Sequence, residues 1–162
     1  AKYLVSSGTM AYASIARGYK AGGFNTDGTL DAYLREFGEE FLIEYEVGIK
    51  SSLFANSLHL KAAVFHDDRH DQQVKSSTGR IRANGSTEFI DFIGNAAEGT
   101  NNGMEFEAVW TPTERLGLTA SFGVLDATFD SFINSENQDL AGRDQAHAPG
   151  YMAHLAADYN LG

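Results

Sequence analysis

The stretch from Ile43 to Val64 constrains this chain more than any other. Ile43, Tyr45, Val47 and Ile49 share one face of a pleated strand, and Glu44, Glu46, Gly48 and Lys50 share the other. Phe54 to Ser57 then reads as a tight turn, after which Leu58, Leu60, Ala62 and Val64 return on the apolar face. The expectation is a hairpin of long strands, apolar on one side and charged on the other. Only two settings suit such strands: a sheet half-buried against a core, or a membrane barrel with lipid outside and a polar lumen.

The same alternation recurs along the chain. Lys2 to Ser6 reads as a strand, Ser7 and Gly8 as a turn, and Thr9 to Lys20 as the partner strand. A polar loop from Ala21 to about Glu39 precedes the strand Glu40 to Leu53, whose partner runs from Leu58 to about Val74. Lys75 to Thr87 is rich in Ser, Gly, Arg and Asn, has no apolar period, and is expected to be a second long loop. Glu88 to Trp110 is strand-like, with small polar residues from Gly94 to Asn102 suited to a bulge. Thr111 to Arg115, with Pro112, reads as a turn. Leu118, Ala120, Phe122 and Val124 then oppose Gly117, Thr119, Ser121 and Gly123; after a third loop, Asp130 to Pro149, Tyr151 to Tyr159 alternates again.

Loops therefore alternate between long and short. A sandwich has no reason to gather its short turns at one end, whereas transmembrane barrels do so. Tyr151 and Tyr159 bracket an apolar run as interfacial girdles do, and Trp110 falls at a short-turn end. No stretch approaches the ~18 apolar residues of a membrane helix, which leaves a β-barrel open because its strands carry polar residues at every second position.

Composition removes other classes. Twelve basic against 22 acidic residues, a net charge of -10, oppose any general grip on nucleic acid phosphates. With no cysteine, neither a disulfide framework nor a thiolate metal site is available. His66, Asp68 and His70 share a strand face and are metal-ligand types. Alternate strand residues stand ~6.6 Å apart, however, too far for three to converge on one ion without a bend. His147 and His154 have no sequence neighbour that would complete a site. Glu105 and Glu107 share a face, but a charged lumen accounts for them without catalysis. No nucleophile elbow or phosphate loop is present, so neither an enzyme nor a cofactor is expected.

Several segments, in order, resemble the barrel of the TonB-dependent outer-membrane receptors. Arg17 to Asn25 is similar to the family's strand end entering an outer loop. Glu40 with Tyr45 to Ser51 is similar to its aromatic-Glu-x-Gly-x-Lys strand, and Phe65 to Val74, with Asp68, Asp71 and Gln73, to the returning strand. Gly103 to Pro112, then Leu140 to Arg143 with Ala148 and Pro149, match two further signatures. His66 and Arg69 depart from the family, which commonly has Tyr there.

The resemblance implies an all-β, antiparallel meander of about seven long strands over residues 1–162, part of a larger transmembrane barrel whose plug domain and terminal strands are absent from this sequence. It implies energy-coupled uptake of a scarce ligand, such as a ferric siderophore or cobalamin, across the outer membrane of a Gram-negative cell. TonB would act through the absent plug, and lipid would meet the apolar face. A segment by itself would have open sheet edges and an uncovered face, conditions that favour self-association. Arg80, Arg82 and Arg143, in the loops and rim, are the expected contacts for an anionic metal chelate. The competing reading is a soluble β-barrel or sandwich that binds a small apolar ligand, with a β-rich hydrolase third.

Overall fold

In the computed structural model, which describes residues 1–134 and 137–161, seven antiparallel strands form one open sheet. Ser135 and Glu136, in the third expected loop, lie outside the described residues. The strands are β1 (Lys2–Ser6), β2 (Thr9–Lys20), β5 (Glu40–Leu53), β6 (Leu58–Ile81), β7 (Thr87–Thr113), β8 (Leu116–Phe132) and β9 (Tyr151–Tyr159), paired in that order. Between β2 and β5, a two-stranded ribbon of β3 (Gly23–Phe24) and β4 (Glu36–Phe37) flanks a 3-10 turn at Ala32–Leu34. Because each strand pairs with the next in the sheet, the connections alternate ends. The short turns after β1, β5 and β7 gather at one end, and the segments 21–39, 82–86 and 133–150 at the other.

The register places the apolar sets in continuous rows. Val47 faces Val64, which faces Met104, which faces Val124, which faces Tyr151. Ile49, Ala62, Phe106, Phe122 and Ala153 form the next row, so the expected common face of the first hairpin holds across the sheet. The band ends toward the long loops at the row His66, Asn102 and Asp126. Toward the short turns it ends near Leu53, Leu58 and Trp110. The opposite face carries Glu44, Glu46, Lys50, Glu105 and Glu107, with Lys61 Nζ 2.9 Å from Glu107 Oε1. Among the described residues no second layer covers the band: Leu155 is 83%, Ile15 75% and Val47 58% exposed.

What core exists lies at the long-loop end. Leu30, Ile90, Ala97, Ala127 and Phe132 are buried there, and Phe129 and Phe132 pack with ring centroids 5.0 Å apart.

That end also corrects two expected boundaries. Most of Lys75 to Thr87 is strand: β6 continues to Ile81, β7 begins at Thr87, and only residues 82–86 turn. Its ladder needs no apolar period, because backbone bonds and pairs such as Lys75 with Asp91, 2.8 Å apart, hold it away from any lipid-like band. At the turn Arg82 N–H donates to the Ser86 carbonyl, and Gly85, at φ 80°, takes the left-handed conformation. Likewise β8 runs to Phe132; at the opposite, short-turn end a third boundary moves, the turn expected at Thr111 to Arg115 shrinking to Glu114 and Arg115. The bulge expected around Gly94 to Asn102 is present, with the register shifting opposite Arg69, Gln72 and Gln73.

On the charged face two cross-strand pairs lay an aromatic ring over a glycine. Phe65 faces Gly103 and Tyr12 faces Gly48, and a Cβ at either glycine would enter the ring's space. Aromatic cover of this kind shields backbone that glycine leaves bare. Gly103→Val is expected to destabilise a receptor carrying this segment by about 1–3 kcal/mol, the usual cost of overpacking. Phe65→Leu in the same background is expected to recover part of the loss. Heat-modifiability on gels reads both; a midpoint unchanged by Gly103→Val would show that the ring moves aside without cost.

Candidate ligand-binding rim

The rim begins where two strands outgrow their neighbours. Pairing of β5 with β6 stops at Phe41 opposite His70, and pairing of β8 with β7 stops at Phe132 opposite Ala97. Beyond those points β6 and β7 pair only with each other and present outward N–H and C=O groups to be satisfied. Loop side chains supply the partners. Asn25, from segment 21–39, accepts at Oδ1 from Ile93 N–H at 2.9 Å and donates through Nδ2 to the Ile93 carbonyl at 2.8 Å, imitating one rung of a β-ladder. Gln73 N–H donates to Glu40 Oε2 at 3.0 Å, while its own Nε2 donates to the carbonyls of Ala21 and Gly38, each at 2.9 Å. Asp71, at φ 53°, makes the bulge in β6, and its carbonyl accepts from Asn95 Nδ2 at 2.7 Å.

Arg69 joins the two longest outer connections. Its Nη2 meets Glu40 Oε1 at 2.5 Å, and its Nη1 donates to Gln145 Oε1 at 3.1 Å. Glu40 and Gln145 are the buried polar side chains of the rim. Gln145 Nε2 donates in turn to the Thr128 carbonyl at 2.9 Å and to Asn101 Oδ1 at 3.2 Å. A continuous polar line therefore runs from Gln73 through Glu40, Arg69 and Gln145 to β8.

The electrostatics follow from that geometry. Burial raises the Glu40 carboxyl, but the Arg69 hydrogen bond, the Gln73 N–H and the positive fields of Arg69 and Lys20 outweigh it and hold it below its usual range. At the hairpin tip the hydrogen bond from Arg82 lowers Glu88 and raises Arg82. In segment 21–39 the Thr29 hydroxyl and N–H, both bonded to Oδ1, lower Asp27.

Of the three arginines expected to meet a chelate, Arg80 and Arg82 stand on the β6–β7 hairpin and Arg143 on the β8–β9 connection. Among the described residues no hydrogen bond joins the two groups. Arg82 Nη2 is engaged by Glu88 Oε1 at 2.5 Å, whereas among the described residues the side chains of Arg80 and Arg143 have no hydrogen-bond or ion-pair partner. His66 lies on the apolar face, its Nε2 3.1 Å from Asp68 Oδ1 and its Nδ1 2.8 Å from Asn102 Oδ1, so protein partners occupy both ring nitrogens. Sequence reasoning missed Gln145 and the role of Arg69. Nothing local marks Gln145, and Arg69 stands out only by departing from the family's pattern.

Glu40→Gln removes the charge from the buried end of a part-buried pair and is expected to cost a receptor carrying this segment about 1–3 kcal/mol at neutral pH. Because the folded carboxyl binds its proton less readily than the unfolded one, its contribution is complete above the usual value of 4.5 and is lost as pH falls through the lower folded value. Thermal melts of parent and variant should therefore converge as the medium is acidified from neutral toward pH ~3. A gap independent of pH would mean that the carboxylate charge does not matter.

Comparison with known proteins agrees with this geometry. The family model for the TonB dependent receptor-like β-barrel matches residues 1–162. The ferric yersiniabactin uptake receptor FyuA from Yersinia pestis superimposes with a TM-score of 0.74 at 23% identity, over 98% of this chain and 22% of that one. The siderophore receptor PiuA from Acinetobacter baumannii gives 0.69 at 17% identity, over 99% of this chain and 23% of that one. The pesticin receptor of Yersinia pestis is 28% identical over 110 residues, 68% of this chain and 15% of the relative. The chain thus spans less than a quarter of each of these three proteins, which belong to a family of receptors and transporters and not of enzymes. A seven-stranded meander with one apolar face, matched from end to end, belongs to the TonB-dependent receptor β-barrel family.

Proposed function

We propose that this chain is a sector of the wall and outer rim of a Gram-negative outer-membrane receptor that takes up a ferric chelate of the siderophore type with energy delivered through TonB. The observation that carries the reading is the division of one sheet into an exposed apolar band at the short-turn end and a rim of cross-linked loops at the other. Tyr45 to Leu53 and Leu58 to His66 match the roughly 9–11 residues that a tilted strand needs to cross a bilayer. Lipid covers the band, and the charged face lines the lumen. A soluble sandwich would need a second layer over Leu155, Ile15 and Val47. TonB engages a plug elsewhere in the whole receptor.

The substrate class rests on the relatives whose names describe siderophore and ferric yersiniabactin receptors. Arg80, Arg82 and Arg143 are the contacts we assign to an anionic chelate, whose oxygens suit guanidinium donors. Arg80 and Arg143 are open to it, while at Arg82 the chelate competes with Glu88.

Two experiments test this reading. Cysteines replacing Asn84 and Gln138 are expected to react with an impermeant maleimide on whole cells, and those replacing Asn56 and Glu114 to stay unlabelled. The reverse pattern would overturn the orientation. Uptake of radioiron presented as phenolate, catecholate and hydroxamate chelates is expected to depend on TonB for at least one of them. Arg80→Ala with Arg143→Ala should weaken that uptake at normal receptor abundance, since exposed substitutions rarely cost more than ~0.5 kcal/mol of stability. Failure of all three chelates in the parent would remove the ferric-chelate reading.

A further inference from the structure

The β8–β9 connection does not hang free. From Leu140 to Gln145 it runs back along β8: Leu140 N–H donates to the Phe132 carbonyl at 2.8 Å, Phe129 N–H to the Arg143 carbonyl at 2.9 Å, and Gln145 N–H to the Ala127 carbonyl at 2.8 Å. At the end of this stretch the Gln145 side chain leaves the connection beside β8, crosses β7 and reaches Arg69 on β6. It crosses at Gly99, the residue that pairs with Arg69 on one side and Phe129 on the other. A Cβ at Gly99 would stand 2.6 Å from Gln145 Nε2, so the carboxamide lies in space that only glycine leaves open. The fit is specific to glutamine. Its oxygen accepts from Arg69 while its nitrogen donates to Thr128 and Asn101; Asn is one methylene shorter, Glu lacks the donor, and Leu lacks both.

Arg69 also holds Glu40, the first residue after segment 21–39. One guanidinium therefore anchors both long outer connections, and Arg143 sits two residues from one anchor.

We propose that Gln145 is a positioning residue that, through Arg69, locks the β8–β9 connection to segment 21–39 so that Arg143 is presented on a preorganised rim. Its consequence for uptake rests on the ferric-chelate reading above; its structural part does not. Ordering a loop in advance removes that entropy cost from ligand binding, so loss of the lock raises the half-saturation concentration and leaves the transport step alone.

The test uses the full-length receptor with nitroxide labels on Asp31→Cys and Ala141→Cys, one on each connection. Pulsed electron resonance is expected to give one narrow distance in the parent, a broad distribution in Gln145→Leu, and an intermediate one in Gln145→Glu, which keeps the Arg69 arm. With ferric yersiniabactin as probe, Gln145→Leu is expected to raise the half-saturation concentration by about fivefold or more, with maximal rate and receptor abundance within about twofold of the parent and partial recovery in Gln145→Glu. A distance distribution in Gln145→Leu as narrow as the parent's would overturn the proposal, as would a fall in maximal rate at constant half-saturation. If the parent does not transport ferric yersiniabactin, the half-saturation arm is read with whichever of the phenolate, catecholate or hydroxamate chelates it does transport; if it transports none, the ferric-chelate reading fails, and the distance distributions decide the positioning role without it.

Discussion

The rim of this molecule depends on a mismatch in strand length. β6 has 24 residues and β7 has 27, against 14 in β5 and 17 in β8, so the central hairpin rises past both neighbours and leaves backbone donors and acceptors without strand partners. A buried unpaired N–H or C=O costs about as much as a lost hydrogen bond, and an open edge invites pairing with other chains. The loops answer that need locally. Asn25 fills a rung beside Ile93, and Glu40 takes the Gln73 N–H, so the segments that cap the edges are the same ones that form the outer rim.

Placing a guanidinium at the centre of such a rim carries a desolvation cost, which is offset only when its donors are satisfied. Arg69, itself half-buried, meets that condition through the buried Glu40 and Gln145. Lysine, a point charge without a planar fork, could not hold two acceptors on separate loops in fixed directions. The short turns at the other end need nothing comparable, because little chain there lacks a strand partner.

The two ends thus divide the work. The band from β2 to β9 is mostly apolar, whereas the rim concentrates buried polar contacts, a bulge and unengaged arginines within a few strand rungs. Rigid strands that present loops are the usual arrangement for binding sites, and the cross-links give these loops some of the strands' rigidity.

The sequence by itself determined the two faces, the hairpin registers and the alternation of short and long connections, because a period of two and a tight turn are local properties readable within a dozen residues. It also marked Asn25, Glu40 and Gln73 as notable through their motifs, without saying what they touch. Only the tertiary structure decided that Lys75 to Ile81 is strand, since a polar segment with no apolar period pairs there because its partner is held alongside. Only it could bring Gln145 to Arg69, 76 residues earlier, through a gap at Gly99. A contact of that kind is written on two strands and a connection at once, and no single stretch of the chain contains it.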